Sequence, residues 1–324
     1  MRNYIVFFIP IFLFFLLGLA LSKEKIIVEK KYSSGNSKIL YDATFKNERD
    51  KYSEVLNLDK FETPPVAFSK KPSVLARNAY FVEINSQKSI YTKGILEKVP
   101  IASLVKVMTA VVALEHLDSN ANVKISKHAS SIGENTMGLT QGETYTLEEL
   151  LYGLILHSGN DAAVAIAEGT AGTVETFVNW MNYKAEDLGL TSTLFTDPNG
   201  LNLDDKSYYS SAYDLVLLTE YSLKKPLLRE IYKTVEYEIL NEDGRHKYLY
   251  LYNQTNLLTT YPGVMGIKTG YTEEAGLCLI TYAENEGKKI LGVILGSTDR
   301  KGDAILLLDY SFELYGIEVE HNLL

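Results

Sequence analysis

An apolar run over residues 4–21 opens the chain, with Arg2 as the only charge before it. Ala20-Leu21-Ser22 then sets small residues at the spacing a signal peptidase accepts, so residues 1–22 read as an export signal. The run is also just long enough to cross a bilayer, which makes an uncleaved N-terminal anchor the alternative. Residues 23–75 show no clear period and read as a lead-in or tether, or as a segment that docks on the domain after it. Patterned sequence begins near Ala76. Ala79–Ile84 and Ser89–Thr92 read as strands around the turn 85–88. Leu104, Val107, Met108, Val111, Val112 and Leu114 recur at helical spacing, predicting a helix over 102–117. Thr146-Leu-Glu-Glu149 is a capping box that starts another helix. Further helices are predicted over 161–168 and 173–188, ended by Gly169 and Gly189.

The last third is strand-rich. Val235–Ile239 and Lys247–Tyr252 flank Asn241-Glu-Asp-Gly244, a hairpin signal. Residues 264–272, 277–283 and 289–295 read as three consecutive antiparallel strands, and 304–315 as a closing helix. Early strands, a helical middle and late strands predict an α+β layer fold, with a helical cluster beside an antiparallel sheet flanked by helices. No internal repeat is present.

Composition narrows the function classes. At 324 residues, 46% apolar and 23% charged, the chain suits a globular core rather than a membrane bundle or a disordered acidic chain. The formal net charge is -9 and no basic block suggests nucleic acid. The one cysteine, Cys278, lies in an apolar run and reads as a small buried hydrophobe. With a single cysteine there is no internal disulfide. The histidines at 116, 128, 157, 246 and 321 have no zinc spacing, and there is no Gly-rich phosphate loop, so neither metal nor cofactor is expected. Tyr248, Tyr250 and Tyr252 alternate on a strand and read as packing or surface before carbohydrate binding.

Three short elements carry the candidate chemistry: Ser103-Leu-Val-Lys106, Ser158-Gly-Asn160 and Lys268-Thr-Gly270. Their letters alone say little, since Ser-x-x-Lys recurs at Ser22 and Ser222 and Ser-Gly-Asn at Ser34. Lys-Thr-Gly occurs once, and only Ser103, Ser158 and Lys268 lie in well-patterned segments in this order. On a helix, positions i and i+3 share a face, so Ser103 can present its hydroxyl beside the Lys106 amine. Serine needs such a base. A free lysine has a pKa near ~10.4, so only about one in ~2,500 is neutral at pH 7. Lys106 therefore needs its pKa depressed by burial or by a neighbouring cation. A cation and a hydroxyl, Lys268 and Thr269, suit a substrate carboxylate. Gly270 lets an acyl group approach the backbone.

These elements in this order resemble the penicillin-recognising serine peptidases and β-lactamases. The flanks, Pro100 to Ala110, His157 to Ala163, Asp197-Pro-Asn-Gly-Leu201, Tyr209 to Asp214 and Gly266 to Gly276, resemble the D-alanyl-D-alanine carboxypeptidases of the low-molecular-weight penicillin-binding protein type, over about residues 76–316. The resemblance implies a β-lactamase/transpeptidase-like fold, with 76–324 as a penicillin-binding DD-peptidase catalytic domain. It implies Ser103 as nucleophile, Lys106 as base and Ser158 as proton relay. It further implies Asn160 as a ligand of the substrate backbone, Lys268 as the cation that keeps Lys106 neutral, and the backbone N–H groups of Ser103 and Tyr271 as oxyanion hole. The implied substrate is the D-Ala-D-Ala end of a peptidoglycan stem peptide, with β-lactams as covalent inhibitors. Action is then extracytoplasmic, with any membrane attachment through the N-terminus. Many family members carry a second β-rich domain and a C-terminal membrane helix; ending at Leu324, this chain is expected to have neither. Met265 and Tyr208 depart from the family's common residues without touching the implied chemistry.

Rival functions are a DD-endopeptidase acting on cross-links, a serine β-lactamase and a non-catalytic wall-binding module. A class A β-lactamase also needs a glutamate in a Glu-x-x-Leu-Asn setting, and neither Glu168, Glu175 nor Glu186 lies in one. The three complete motifs speak against the non-catalytic module.

Overall fold

A computed structural model describes residues 70–201 and 208–323. The expected signal or anchor over 1–22 and nearly all of the lead-in over 23–75 lie outside the described residues. The central sheet has five antiparallel strands: β1 (Asn78–Glu83), β2 (Lys88–Lys93), β7 (Val264–Thr272), β8 (Gly276–Asn285) and β9 (Lys288–Ser297), in the order β2-β1-β9-β8-β7. The first and last strands of the chain thus pair, with Phe81 opposite Gly292 and Val82 opposite Leu291.

Successive side chains of a strand point to opposite faces, and here that alternation sorts the sheet between two cores. Tyr80 and Val82 of β1, Ile280 of β8, and Leu291, Val293 and Leu295 of β9 join the larger core on the helical side. Ala79, Phe81, Leu279, Ile290 and Ile294 join the smaller one. That second core is closed by α9 (Arg300–Glu313) through Ala304, Ile305, Leu307, Leu308 and Phe312. Burying both faces explains why the middle strands read as apolar runs rather than as alternating ones.

The helical cluster is centred on α1 (Lys106–His116), whose residues 106–113 are all buried. Around it pack α3 (Leu147–Leu156), α4 (Asn160–Ala171), α5 (Val174–Asp187) and α6 (Ala212–Ser222). The capping box of α3 is formed: Thr146 and Glu149 each satisfy the other's backbone N–H. Beyond α6 lies α7 (Pro226–Lys233), with proline in its first turn, where no N–H is needed. Two small ribbons complete the layer, β3 (Asn122–Lys124) with β4 (Thr144–Thr146) and β5 (Glu236–Ile239) with β6 (Leu249–Tyr252). Two short helices, α2 (Lys127–Ser131) and α8 (Leu257–Thr260), fill the connections.

The helix expected from 102 begins differently. Ala102–Val105 form a 3-10 turn, with Ala102 at φ +48°, before α1 proper starts at Lys106. Leu75 and Ala76, at the end of the lead-in, dock on the domain by donating their N–H groups to the two carboxylate oxygens of Asp303, each at 2.8 Å.

Candidate active site

Three elements converge on Lys106: the 3-10 turn, the α3–α4 junction and the 197–200 loop. Its Nζ lies 2.8 Å from Ser103 Oγ, 2.8 Å from Asn160 Oδ1 and 2.6 Å from the Asn199 carbonyl. Lys106 has no exposed surface. Asn160 Nδ2 donates to the Gly133 carbonyl, which fixes its amide oxygen towards Lys106. Two of the three neighbours can only accept. A neutral amine has two N–H groups and one lone pair, so the carbonyls of Asn160 and Asn199 take the hydrogens and leave the lone pair for the Ser103 hydroxyl.

Burial pushes the Lys106 pKa down to about 7, against the pull of Asp197, Asp161 and Glu134 in the other direction. Burial is the first cause of that depression, and Lys268 is likewise held well below the ordinary lysine range by burial, then by the charges of Lys106 and Arg300.

The 197–200 loop, which the sequence marked only as a family-like flank, contributes directly to the site. Asp197 Oδ1 accepts from the backbone N–H groups of Asn199 and Gly200, closing an Asx turn. Thr109 of α1 donates to the Pro198 carbonyl at 2.6 Å, which pins the turn to the helix carrying Lys106. Gly200 has φ +84°, and a Cβ there would meet the Ala102 carbonyl oxygen at 2.4 Å.

Ser158 follows α3 and is buried, in a left-handed conformation at φ +58°. Such a conformation is costly for a serine, and it persists where surrounding structure enforces it. The enforcement is visible: Gly159 N–H returns to the Gly153 carbonyl, and Asn160 N–H donates to the Asn135 carbonyl. Asp161 does not cap its helix from the N-cap position, which Gly159 holds. Its carboxylate instead collects the N–H groups of Met137, Gly138 and Leu139 and fixes the loop that faces Asn160. His157 makes no triad with Ser158; its ring stands edge-on to Tyr252, at 5.7 Å.

The opposite wall is β7, an edge strand. Lys268 is buried and donates to the Thr269 carbonyl at 2.9 Å. Thr269 lines a cavity of about 160 Å³ together with Arg300, Gln254 and Thr255. Arg300 is a group the sequence reading missed; its guanidinium donates to the Gly270 carbonyl at 2.8 Å. A Cβ on Gly270 would lie 3.1 Å from the Ser103 nitrogen and 3.2 Å from Ala102 Cβ, so the strand backbone rests against the nucleophile's turn. Tyr271 is exposed, at the rim of a cavity of about 410 Å³ also bounded by Glu134, Leu201, Thr272, Glu273 and Glu274. Among the described residues, no group of three or more His, Cys, Asp or Glu is placed to hold a metal ion.

Residues 66–299 match the D-alanyl-D-alanine carboxypeptidase family. The chain belongs to that family. A D-alanyl-D-alanine carboxypeptidase of Bacillus subtilis is 36% identical over 248 residues, covering 74% of this chain and 63% of the relative. One from Streptomyces sp. K15 is 31% identical over 270 residues, covering 78% of this chain and 92% of its own length. The crystal structure of the Streptomyces K15 DD-transpeptidase superposes with a TM-score of 0.71 at 32% identity, covering 76% of this chain and all of that one. An evolved penicillin-binding protein homologue from Mycobacterium tuberculosis reaches 0.72 at 30% identity, over 80% of this chain. These two solved structures share the α+β fold described above.

Proposed function

We propose that the protein is a serine-type D-Ala-D-Ala carboxypeptidase that removes the terminal D-alanine of peptidoglycan stem peptides through an acyl-enzyme on Ser103. The observation that carries this reading is the buried Lys106 amine, 2.8 Å from Ser103 Oγ and with its pKa lowered to about 7. Neutral Lys106 takes the Ser103 proton as Oγ attacks the carbonyl carbon of the penultimate D-alanine. The backbone N–H groups of Ser103 and Tyr271 meet the oxyanion that forms. Collapse breaks the amide C–N bond, and the proton passes from Lys106 through Ser158 to the departing amine. Water then cleaves the ester, returning a carboxylic acid and the Ser103 hydroxyl.

Asn160 has one job the geometry supports, orienting Lys106, and one the family implies, holding the substrate backbone. Lys268, Thr269 and the neighbouring Arg300 surround the place for the terminal carboxylate. An incoming carboxylate supplies the counter-charge that buried Lys268 lacks among the described residues. Gly270 leaves room for the acyl chain beside Ser103. A β-lactam follows the same first step and stays as an adduct.

The wall substrate places the action outside the cytoplasm, with 76–324 as catalytic domain and 1–22 as export signal or anchor. Among the described residues no helix is long and apolar enough to cross a membrane.

Intact-protein and peptide mass spectrometry after penicillin treatment tests the reading. A single adduct mapping to Ser103, formed in a burst that then stalls, is expected. No adduct in wild type, or one retained by Ser103→Ala, sinks the assignment; rapid steady-state turnover of the antibiotic makes the protein a β-lactamase instead.

A further inference from the structure

The β5–β6 ribbon has one covered face and one open face. Ile239 and Leu251 are buried, and Tyr237 and Leu249 pack against the larger core. Tyr237 stacks flat on Tyr152 of α3, with ring centroids 3.5 Å apart. The open face carries Glu236, Glu238, Tyr250 and Tyr252, with Tyr248 just before β6. The three tyrosines at 248, 250 and 252 are 52%, 47% and 54% exposed. A solvated strand face needs no aromatic residue, and three at alternate positions form a row rather than scattered apolar surface. Residues two apart on a strand are separated by about 7 Å, so the row spans about 14 Å.

The glutamates are interleaved with the rings. Glu236 pairs with Tyr252 and Glu238 with Tyr250 across the ribbon. Glu236 also lies diagonal to Tyr250 across the ribbon, and Glu238 diagonal to the position of Tyr248. About half of each phenol side chain therefore stays open to solvent beside a carboxylate. At its inner end the row reaches the catalytic cleft. Tyr252 meets His157, which precedes Ser158, and Gln254 donates to the Leu156 and His157 carbonyls.

Flat aromatic faces suit the C–H face of a sugar ring, and carboxylates beside them accept hydrogen bonds from its hydroxyls. The same carboxylates repel an anionic lipid surface or a nucleic acid. We propose that Tyr248, Tyr250 and Tyr252 bind the neutral sugar strand of the wall polymer and lead it past the cleft that takes its peptide. The proposal rests on the carboxypeptidase reading for the identity of that polymer.

The test is co-sedimentation of the full chain with chitin, a neutral β-1,4-linked N-acetylglucosamine polymer that carries no peptide, comparing wild type with the double variant Tyr248→Ser, Tyr250→Ser. Loss of both rings lowers affinity at least about tenfold. Both positions are exposed, so melting temperature, penicillin acylation of Ser103 and D-alanine release from a soluble pentapeptide stay at wild-type levels. Equal sedimentation of the two proteins overturns the proposal. So does a wild type that ignores chitin, or one that binds phosphatidylglycerol vesicles through these tyrosines. Absence of Ser103 acylation defeats the carboxypeptidase reading alone, because the sedimentation assay does not depend on catalysis.

Discussion

Lys106 is surrounded by an alcohol and two carbonyl oxygens, and among the described residues no carboxylate bonds to it directly. Its pKa is about 7 in the folded protein against an ordinary 10.5. Between those values the unfolded chain holds a proton that the folded one does not, so stability rises with pH across that window. Below about 7 the cost of the buried charge is fully present, roughly 5 kcal/mol. Lys106→Met removes that cost together with the activity. Chemical denaturation at pH 6 and pH 9.5 is expected to show the variant gaining most, relative to wild type, at pH 6, with the advantage narrowing by about 2 kcal/mol or more at pH 9.5. A pH-independent difference would mean that Lys106 is not shifted. The Ser103–Lys106 spacing was legible in the sequence because a turn of helix brings i and i+3 together. The Asn199 carbonyl was not, because a main-chain acceptor leaves no mark on residue type.

At the scale of elements, the site depends on β7 lying flat against the 3-10 turn. Gly270 permits that contact, with a Cβ clearance of 3.1 Å to the Ser103 nitrogen. Gly270→Ala is expected to push strand and turn apart by a few tenths of an ångström. Stopped-flow acylation by a fluorescent penicillin should slow at least about tenfold, with the melting temperature nearly unchanged. An unchanged rate would show that the approach is not needed. The long helix α5 was legible because its apolar residues repeat over several turns, and β8 and β9 because each is a continuous apolar run. The three-residue ribbons β3 and β4 and the short helices α2 and α8 were not, since three to five residues contain no period to read. The positive φ of Ala102 and Ser158 was hidden as well, because tertiary contacts impose it on residues that disfavour it.

At the scale of the whole molecule, the sheet divides two cores, and the chain's early strand β1 is closed in by β9 from its far end. The α+β class was legible from the order of strands and helices, whereas that pairing joins segments some two hundred residues apart and no local pattern announces it. Asp303 ties these distant parts together. It accepts from Leu75 and Ala76 before β1 and from the Ser297 hydroxyl at the end of β9, at 2.6 Å. Asp303→Ala strands three donors, two of them in buried bonds. Urea denaturation should show a loss of about 2–4 kcal/mol, with acylation by penicillin intact in the folded fraction; a loss below about 0.5 kcal/mol would mean that the tie is dispensable.

The central claim is that burial keeps Lys106 neutral enough to deprotonate Ser103, and the pH dependence of Ser103 acylation by penicillin tests it most directly. The rate constant is expected to rise with pH through an apparent pKa near 7 and to level off above pH 8. A rate that stays flat from pH 6 to 9, or climbs only as an ordinary lysine loses its proton near ~10.4, would contradict it.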